Sequence, residues 1–297
     1  MKAKLIINPK AGIHRENIHK VKSALTGMSQ GDQIKTFLSE ENIEVDIFET
    51  KKSGDATKIA KDVEGYDMVI GAGGDGTVNE VVNGLNNFDV SLGIIPLGSE
   101  NVFAKELKIP LRIKNSCKVI GKGKTRKVDV GVMNKKRFIF VAGIGFDAHA
   151  IKNVRQKVKK ILGKHSYTLA GLKTLFEHKP EKIKISFNGK ETFGYFAIIS
   201  NVKRYGGRIK VTPNAKLDDG YLDMCVFKNK DLLSVMRYVM GAASKQMHLT
   251  ENIERYKIKK GKITCEKPVL YHTDAEIGGK TPVEVDVLAK TLRVVVP

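Results

Sequence analysis

Residues 71 to 76 read Gly-Ala-Gly-Gly-Asp-Gly, and each residue type there has a chemical use. Glycines let a backbone approach a ligand closely, and their N–H groups can cradle phosphate oxygens. An aspartate in such a loop repels phosphate unless a cation lies between them, and Mg2+ turns that repulsion into a bridge. YDMVI before the loop reads as a strand. TVNEVVNGL after it reads as a helix starting near Thr77, whose positive end favours phosphate. The spacing also fits G-x-G-x-x-G, but a dinucleotide site wants an acid about 20 residues further on. The next strand, SLGIIPLG, ends without one. The loop therefore reads as a site for a nucleoside triphosphate with its metal. The alternative is a glycine turn with Asp75 capping the next helix.

Such a loop needs a scaffold, and the first 125 residues or so supply one. KLIINP, IEVDIFET, YDMVIGAGG and VSLGIIPLGS read as strands. Helical patterns fall between them: residues 14–40 in two pieces, SGDATKIAKDV capped by Ser53 or Asp55, TVNEVVNGL, and ENVFAKEL. This alternation predicts a parallel, doubly wound α/β domain of Rossmann-like type. Ligands sit at the carboxyl ends of such strands, here the loops 8–13, 71–77 and 97–101. Past residue 125 the texture changes to short strands separated by polar turns, with helical patterns only at 147–178 and 231–245. That predicts a β-rich, sandwich-like second domain. The expected boundaries are 1–126 and 127–289, with a last strand near 290–297 returning to the first domain.

The 297 residues carry 52 Lys plus Arg against 32 Asp plus Glu, a formal charge of +20. Such a surface attracts polyanions: nucleic acid, an anionic membrane face or phosphorylated substrates. Aromatic residues make up only 7% and no nucleic-acid motif occurs, so nucleic acid is not an expected partner. Cys117, Cys225 and Cys265 are far apart and form no metal-ligand spacing, which fits a reducing compartment. His149, His165, His178 and His248 are scattered without ligand spacing. MKAKLIINPKAG holds no apolar run of signal-peptide length, and no segment approaches a membrane span. A cytoplasmic protein, peripheral at the inner membrane face, is expected.

GGDGTVNEVVNG resembles the signature loop of the diacylglycerol kinase catalytic superfamily, in its soluble bacterial lipid kinase branch related to sphingosine kinases. Its distant relatives, the NAD kinases and phosphofructokinases, share the GGDG core. The resemblance implies a phosphofructokinase-like N-terminal domain, ATP and Mg2+ as cofactors, and a lipid hydroxyl as acceptor. It extends along the chain. INPKAG (Asn8, Pro9, Gly12) is similar to the first nucleotide loop, and Thr50 to a nucleotide-contacting threonine. IPLGSENVFAKEL resembles a PLGTxNDxAR motif, with Ser99 in place of Thr and Asn101 retained. The implied nucleotide site comprises Asn8, Thr50, Gly73, Gly74, Asp75, Gly76, Thr77, Val78, Asn79, Glu80 and Ser99, with Asp75 on the metal. KVDVG places Asp129 in the family's acidic network. PNAKLDDGYLD resembles a structural-metal segment, in which Asp219 ligates through its side chain and Lys216 and Tyr221 through their carbonyls. YHTDAEIGG resembles the late DGE motif, whose glutamate, here Glu276, is the general base. That role implies two domains facing each other across a cleft.

Three positions depart from the pattern. Val102 stands where the family carries an aspartate, Ile13 where a basic residue is common, and Ala275 where the DGE glycine lies. Two alternatives stay open: a kinase for a soluble acceptor such as NAD, and a catalytically impaired ATP-binding regulatory homologue. HAIKNVRQKVKKILGKH adds a membrane argument. Ile151, Val154, Val158, Ile161 and Leu162 share a helical face, and Lys152, Arg155, Lys157, Lys159, Lys160 and Lys164 load the rest. A helix of this kind can rest on anionic lipid or pack its apolar face on the core. The acceptor lipid is not specified by the sequence, and oligomeric state is open, a homodimer included.

Overall fold

Strand order decides where a ligand can sit in an α/β sheet, and here it is read from a computed structural model. Described are residues 1–11, 27–86, 88–146, 148–149, 151, 180–205, 209–230 and 252–297. The chain forms two units, Met1–Val128 with Lys290–Pro297, and Asp129–Ala289. The expected helices at 147–178 and 231–245, the first helical piece after residue 14, and Gly12 and Ile13 lie outside the described residues.

In the first unit, β1 (Lys2–Ile7) pairs in parallel with β2 (Glu44–Glu49) on one side and β3 (Met68–Gly73) on the other. β3 pairs in parallel with β4 (Ser91–Pro96), and Val294 of the chain's last strand pairs with Leu92. The strand order 2-1-3-4 reverses direction between β1 and β3. Ligands gather outside the carboxyl ends at such a reversal. β1, β3 and β4 are buried almost along their whole length, as strands covered on both faces must be.

Five helices flank this sheet among the described residues: α1 (Gln30–Ser39), α2 (Asp55–Ile59), α3 (Asp75–Gly84), α4 (Val102–Glu106) and α5 (Ile113–Lys122). α1 opens on a capping box between Ser29 and Asp32 and buries Ile34 and Leu38. α5 buries Cys117, Val119 and Ile120 in the same core and stops at Gly123, in the left-handed region at φ 66°. α2 departs from expectation. Neither Ser53 nor Asp55 caps it. Gly54 is the cap residue, and the Glu80 carboxylate of α3 accepts the N–H groups of Gly54 at 2.9 Å and Ala56 at 3.3 Å. α2 also ends at Ile59, short of Val63, and the Asp62 carbonyl accepts from the Lys4 ammonium.

β5 (Thr125–Met133) passes from the first unit into the second at Asp129, and β6 (Lys136–Phe138) and β7 (Val141–Ile144) follow. The second unit continues with β8 (Ile183–Phe187), β9 (Lys190–Gly194), β10 (Phe196–Ser200) and the two-residue pair β11 (Arg204–Tyr205) and β12 (Ile209–Lys210). Then follow β13 (Leu222–Phe227), β14 (Ile253–Ile258), β15 (Lys260–Cys265), β16 (Leu270–Thr273), β17 (Glu276–Lys280) and β18 (Val283–Val295). One antiparallel sheet runs β14-β13-β10-β7-β16-β17. A second antiparallel run joins β18, β15, β8 and β9. Their apolar residues share one core that includes Met133, Phe138, Ile185, Ile199, Met224 and Val285. A β-rich, sandwich-like unit is what these strand patterns predict. The expected strands TPVEVDVLA and TLRVVVP form one strand, β18, with Lys290 at a positive φ of 52° where it passes from one unit to the other.

Candidate active site

Backbone hydrogen bonds bring the predicted nucleotide residues of the first unit to one edge. Asn8 N–H donates to Ala72 at 2.9 Å, Thr50 N–H to Ile7 at 2.9 Å, and Leu97 N–H to Gly73 at 2.9 Å. Asn8, Thr50, the Gly73–Thr77 loop and Ser99 therefore all follow the carboxyl ends of adjacent strands. Two glycines make the loop possible. A Cβ on Gly73 would collide with the Thr77 side chain, and one on Gly98 with the Gly74 Cα. A Cβ on Gly76 would meet nothing within 4 Å, so space is open beside the first turn of α3. The first N–H groups of a helix lack internal acceptors, and Gly74, the cap residue of α3, supplies no side chain to satisfy them. Open space beside such N–H groups and a helix dipole is a setting that can hold phosphate. Gly98→Ala is expected to lower stability by about 1–3 kcal/mol, because backbone and not a flexible side chain blocks the new methyl group. Urea unfolding checks this, and nucleotide titration should show weakened binding.

Helix α3 starts at Asp75, two residues earlier than expected, so the aspartate lies in its first turn. Its carboxylate accepts the Phe103 N–H at 3.3 Å, at the start of α4. Burial pushes the Asp75 carboxyl above the usual range, and the N–H groups of Val102 and Phe103 offset only part of this. A cation beside this carboxylate would offset the rest. Nearby in the chain, Asn101 is buried in a left-handed conformation (φ 48°) and donates to the Gly98 carbonyl at 2.7 Å. Its side-chain oxygen has no hydrogen-bond partner. Among the described residues no group of three or more His, Cys, Asp or Glu could hold a metal. Mg2+ is commonly held by one or two carboxylates together with substrate phosphates and water. The donor set around Asp75 thus fits an ion carried in with a nucleotide.

The other residues of this loop differ in setting. Thr77, Val78 and Asn79 are buried, and the Asn79 side chain accepts from Asn83 at 2.8 Å. Glu80 is engaged with Ser53, Gly54 and Ala56, and Ser99 is exposed.

In the second unit, Asp129 is fully buried. Its carboxylate accepts the Gly220 N–H at 2.7 Å, its N–H donates to Leu217 at 2.6 Å, and its carbonyl accepts from Asn201 at 2.7 Å. It thereby holds the 217–220 turn, the segment whose resemblance implies a metal at Lys216, Asp219 and Tyr221. There the Lys257 ammonium is paired with Asp219 and lies 3.8 Å from Asp223. Partial burial would lower the Lys257 pKa, but these two carboxylates outweigh that and raise it.

Glu276 follows a two-residue turn between β16 and β17, in which Asp274 and Ala275 both have positive φ (47° and 63°). Asp274 is partly buried, and its carboxylate accepts the N–H groups of Ile139, Phe140 and Val141 at 2.8 to 3.0 Å. Burial pushes this carboxyl up to about 7, against those donors and His272. The same contacts divide the expected strand RFIFVAGIGF into β6 and β7, because the N–H groups of residues 139–141 turn to Asp274. The Glu276 carboxylate meets the Lys136 ammonium at 2.5 Å. Ala275 carries a Cβ in a conformation that favours glycine. Ala275→Gly is expected to leave stability unchanged or raise it by up to about 1 kcal/mol, relief of strain being partly cancelled by chain entropy. Thermal unfolding measures this.

Comparison with known proteins fits both units. The diacylglycerol kinase catalytic domain matches residues 2–133, and the YegS C-terminal NAD kinase beta sandwich-like domain matches residues 141–296. A diacylglycerol kinase of Bacillus subtilis strain 168 is 31% identical over 303 residues, spanning 100% of this chain and 96% of the relative. The chain belongs to the diacylglycerol kinase family. A diacylglycerol kinase of Staphylococcus aureus strain JH9 is 35% identical over 254 residues, covering 82% of this chain and 80% of the relative. A crystal structure of a provisionally assigned diacylglycerol kinase from Bacillus anthracis superposes with TM-score 0.81 at 29% identity, covering 100% of this chain and 95% of that one. Another Bacillus anthracis diacylglycerol kinase structure gives 0.72 at 26% identity, covering 100% and 97%. The fold is therefore that of this kinase family: an α/β unit followed by a β-sandwich-like unit. No helix among the described residues is long and apolar enough to cross a membrane.

Sequence reasoning singled out neither Lys136 nor the carboxylate of Asp274. Lys136 lies 140 positions before its partner, and nothing in MNKKRF marks one lysine above its neighbours. Asp274 sat within the quoted HTDAE stretch, where its turn-forming type was the available signal.

Proposed function

We infer that the protein is an ATP-dependent kinase that phosphorylates a hydroxyl of a diacylglycerol-like lipid. The observation that carries this reading is the open glycine loop at the end of β3, with a partly buried carboxylate in the first turn of α3. Membership of the diacylglycerol kinase family gives the acceptor class. In this reading backbone N–H groups of Gly74–Thr77 hold the phosphates, and Asn8, Thr50 and Ser99 shape the nucleotide site. Gly73, Val78, Asn79 and Glu80 support the loop from behind. Asp75 holds Mg2+, which when bound neutralises phosphate charge. Glu276 takes the proton of the attacking hydroxyl. The O–H bond breaks, the hydroxyl oxygen bonds to the γ-phosphorus, and the bond to ADP's terminal oxygen breaks. Asp129 acts by holding the 217–220 turn. The charge of +20 supports work at an anionic membrane surface, where a lipid acceptor would be met.

The test is transfer from γ-labelled ATP with Mg2+ into a mixed lipid extract in detergent micelles. Label is expected in an organic-soluble product that chromatography identifies as a phosphorylated diacylglycerol. Label confined to water-soluble metabolites would reject a lipid acceptor. Nucleotide binding without transfer to any acceptor would favour a regulatory protein, with Val102 the first residue to revert to aspartate.

A further inference from the structure

We propose that Lys136 is a positioning residue for phosphoryl transfer, orienting Glu276 and then countering charge on the newly formed phosphate ester. The proposal rests on Glu276 being the general base. Two tight hairpins supply the pair. One turns through Asn134 and Lys135, with φ of 46° and 72°, and delivers Lys136 as its next residue. The other turns through Asp274 and Ala275 and delivers Glu276. Each side chain thus leaves its strand at the first position after a turn of fixed shape.

Both hairpins are anchored. Asn134 exchanges backbone hydrogen bonds with Glu284, through its own N–H at 3.0 Å and its side-chain oxygen at 2.8 Å. Its side-chain nitrogen donates to the Pro282 carbonyl at 3.3 Å. The Phe138 ring lies over Gly131, where a Cβ would collide with it. Asp274, two residues before Glu276, accepts from residues 139–141, directly after β6. The Asp274 carboxylate therefore ties together the strands that carry Lys136 and Glu276. The backbone positions that carry the pair are thus fixed by these hairpin contacts.

The pair is also accessible. Lys136 and Glu276 are 32% and 31% exposed, so a substrate hydroxyl can reach the carboxylate. A base lies about 3 Å from the hydroxyl oxygen it deprotonates, and with the hydroxyl on the carboxylate oxygen that Lys136 leaves open, the ammonium is no more than about 8 Å from that oxygen. Before transfer the ammonium holds one carboxylate oxygen and leaves the other for the hydroxyl. After transfer the proton resides on Glu276, whose carboxyl is then neutral. Lys136 has lost its counter-charge just as the former hydroxyl oxygen has become part of a dianionic phosphate ester. A surface ion pair without function would contribute little to stability.

The experiment measures kcat and KM with dioleoylglycerol in detergent micelles and ATP with Mg2+. Compared are wild type, Lys136→Met, Lys136→Arg, Glu276→Gln and the Lys136→Met/Glu276→Gln double variant. Lys136→Met should lower kcat about 10²-fold at little-changed KM for ATP. Lys136→Arg should recover most of the loss, and the double variant should be no slower than Glu276→Gln alone. Wild-type or faster turnover by Lys136→Met would overturn the proposal, as would independent losses in the double variant. Near-normal turnover by Glu276→Gln would instead reject the underlying role of Glu276. Unfolding is followed alongside; should Lys136→Met melt below the assay temperature, Lys136→Gln is judged by the same kcat criterion.

Discussion

Asp75→Asn is expected to give a folded protein whose phosphoryl transfer falls about 10³-fold or more. The folding half of this expectation follows from its hydrogen bond. The Asp75 oxygen that faces α4 accepts the Phe103 N–H, and an asparagine carbonyl can accept it equally well. What the amide removes is charge. Burial already makes the carboxylate costly, and a neutral side chain would cost less to bury. Asp75→Asn should therefore melt at or above the wild-type temperature while losing activity, a combination that a purely structural aspartate would not give. Kinetics over a range of Mg2+ concentrations, beside a thermal unfolding curve, measure both halves. If the variant's activity stays near wild type in excess Mg2+, Asp75 only holds the Phe103 N–H at the start of α4.

Glu276→Gln carries the second large effect. Loss of a general base typically costs about 10²–10⁴-fold in rate. The glutamine keeps a carbonyl for the Lys136 ammonium, and the turn at Asp274 and Ala275 is untouched, so little loss of stability is expected. Nucleotide affinity should stay near wild type, because Glu276 belongs to the β-rich unit and the phosphate loop to the α/β unit. Binding by calorimetry and turnover by label transfer separate these outcomes. A variant that binds ATP and transfers nothing places the fault at the acceptor side. A fully active variant would remove Glu276 from the mechanism.

The α/β unit was largely legible because each of its signals is local. Apolar runs ended by Pro9, Gly73 and Pro96 became β1, β3 and β4, and the loops that follow them line one edge. Helix α3 was visible for the same reason, though its start was set too late, since an aspartate among glycines looks like loop. The cap of α2 was misread because its true partner, Glu80, lies two dozen residues away on another helix. Distance hid the rest as well. Strands β6 and β7 separate because Asp274 draws the intervening N–H groups, and the pairing of Lys136 with Glu276 spans nearly half the chain. Periodicity reports which residues face a core. It does not report which polar side chain, far along the sequence, will satisfy a given backbone group.

The departure at Val102 has a local consequence. Its N–H, with that of Phe103, is directed to Asp75, so the backbone at this position serves the Asp75 carboxylate even without an acidic side chain. Asn101, with an unpartnered oxygen and a carbonyl contact to Gly98, retains the polar character of the turn.

The central claim is that a lipid hydroxyl receives the γ-phosphate of ATP. The most direct measurement offers the purified protein equal amounts of dioleoylglycerol in micelles and NAD in solution, with γ-labelled ATP and Mg2+. Label in phosphatidic acid, absent from NADP and lost in Asp75→Asn, is the predicted result. Label in NADP with none in the lipid would contradict it.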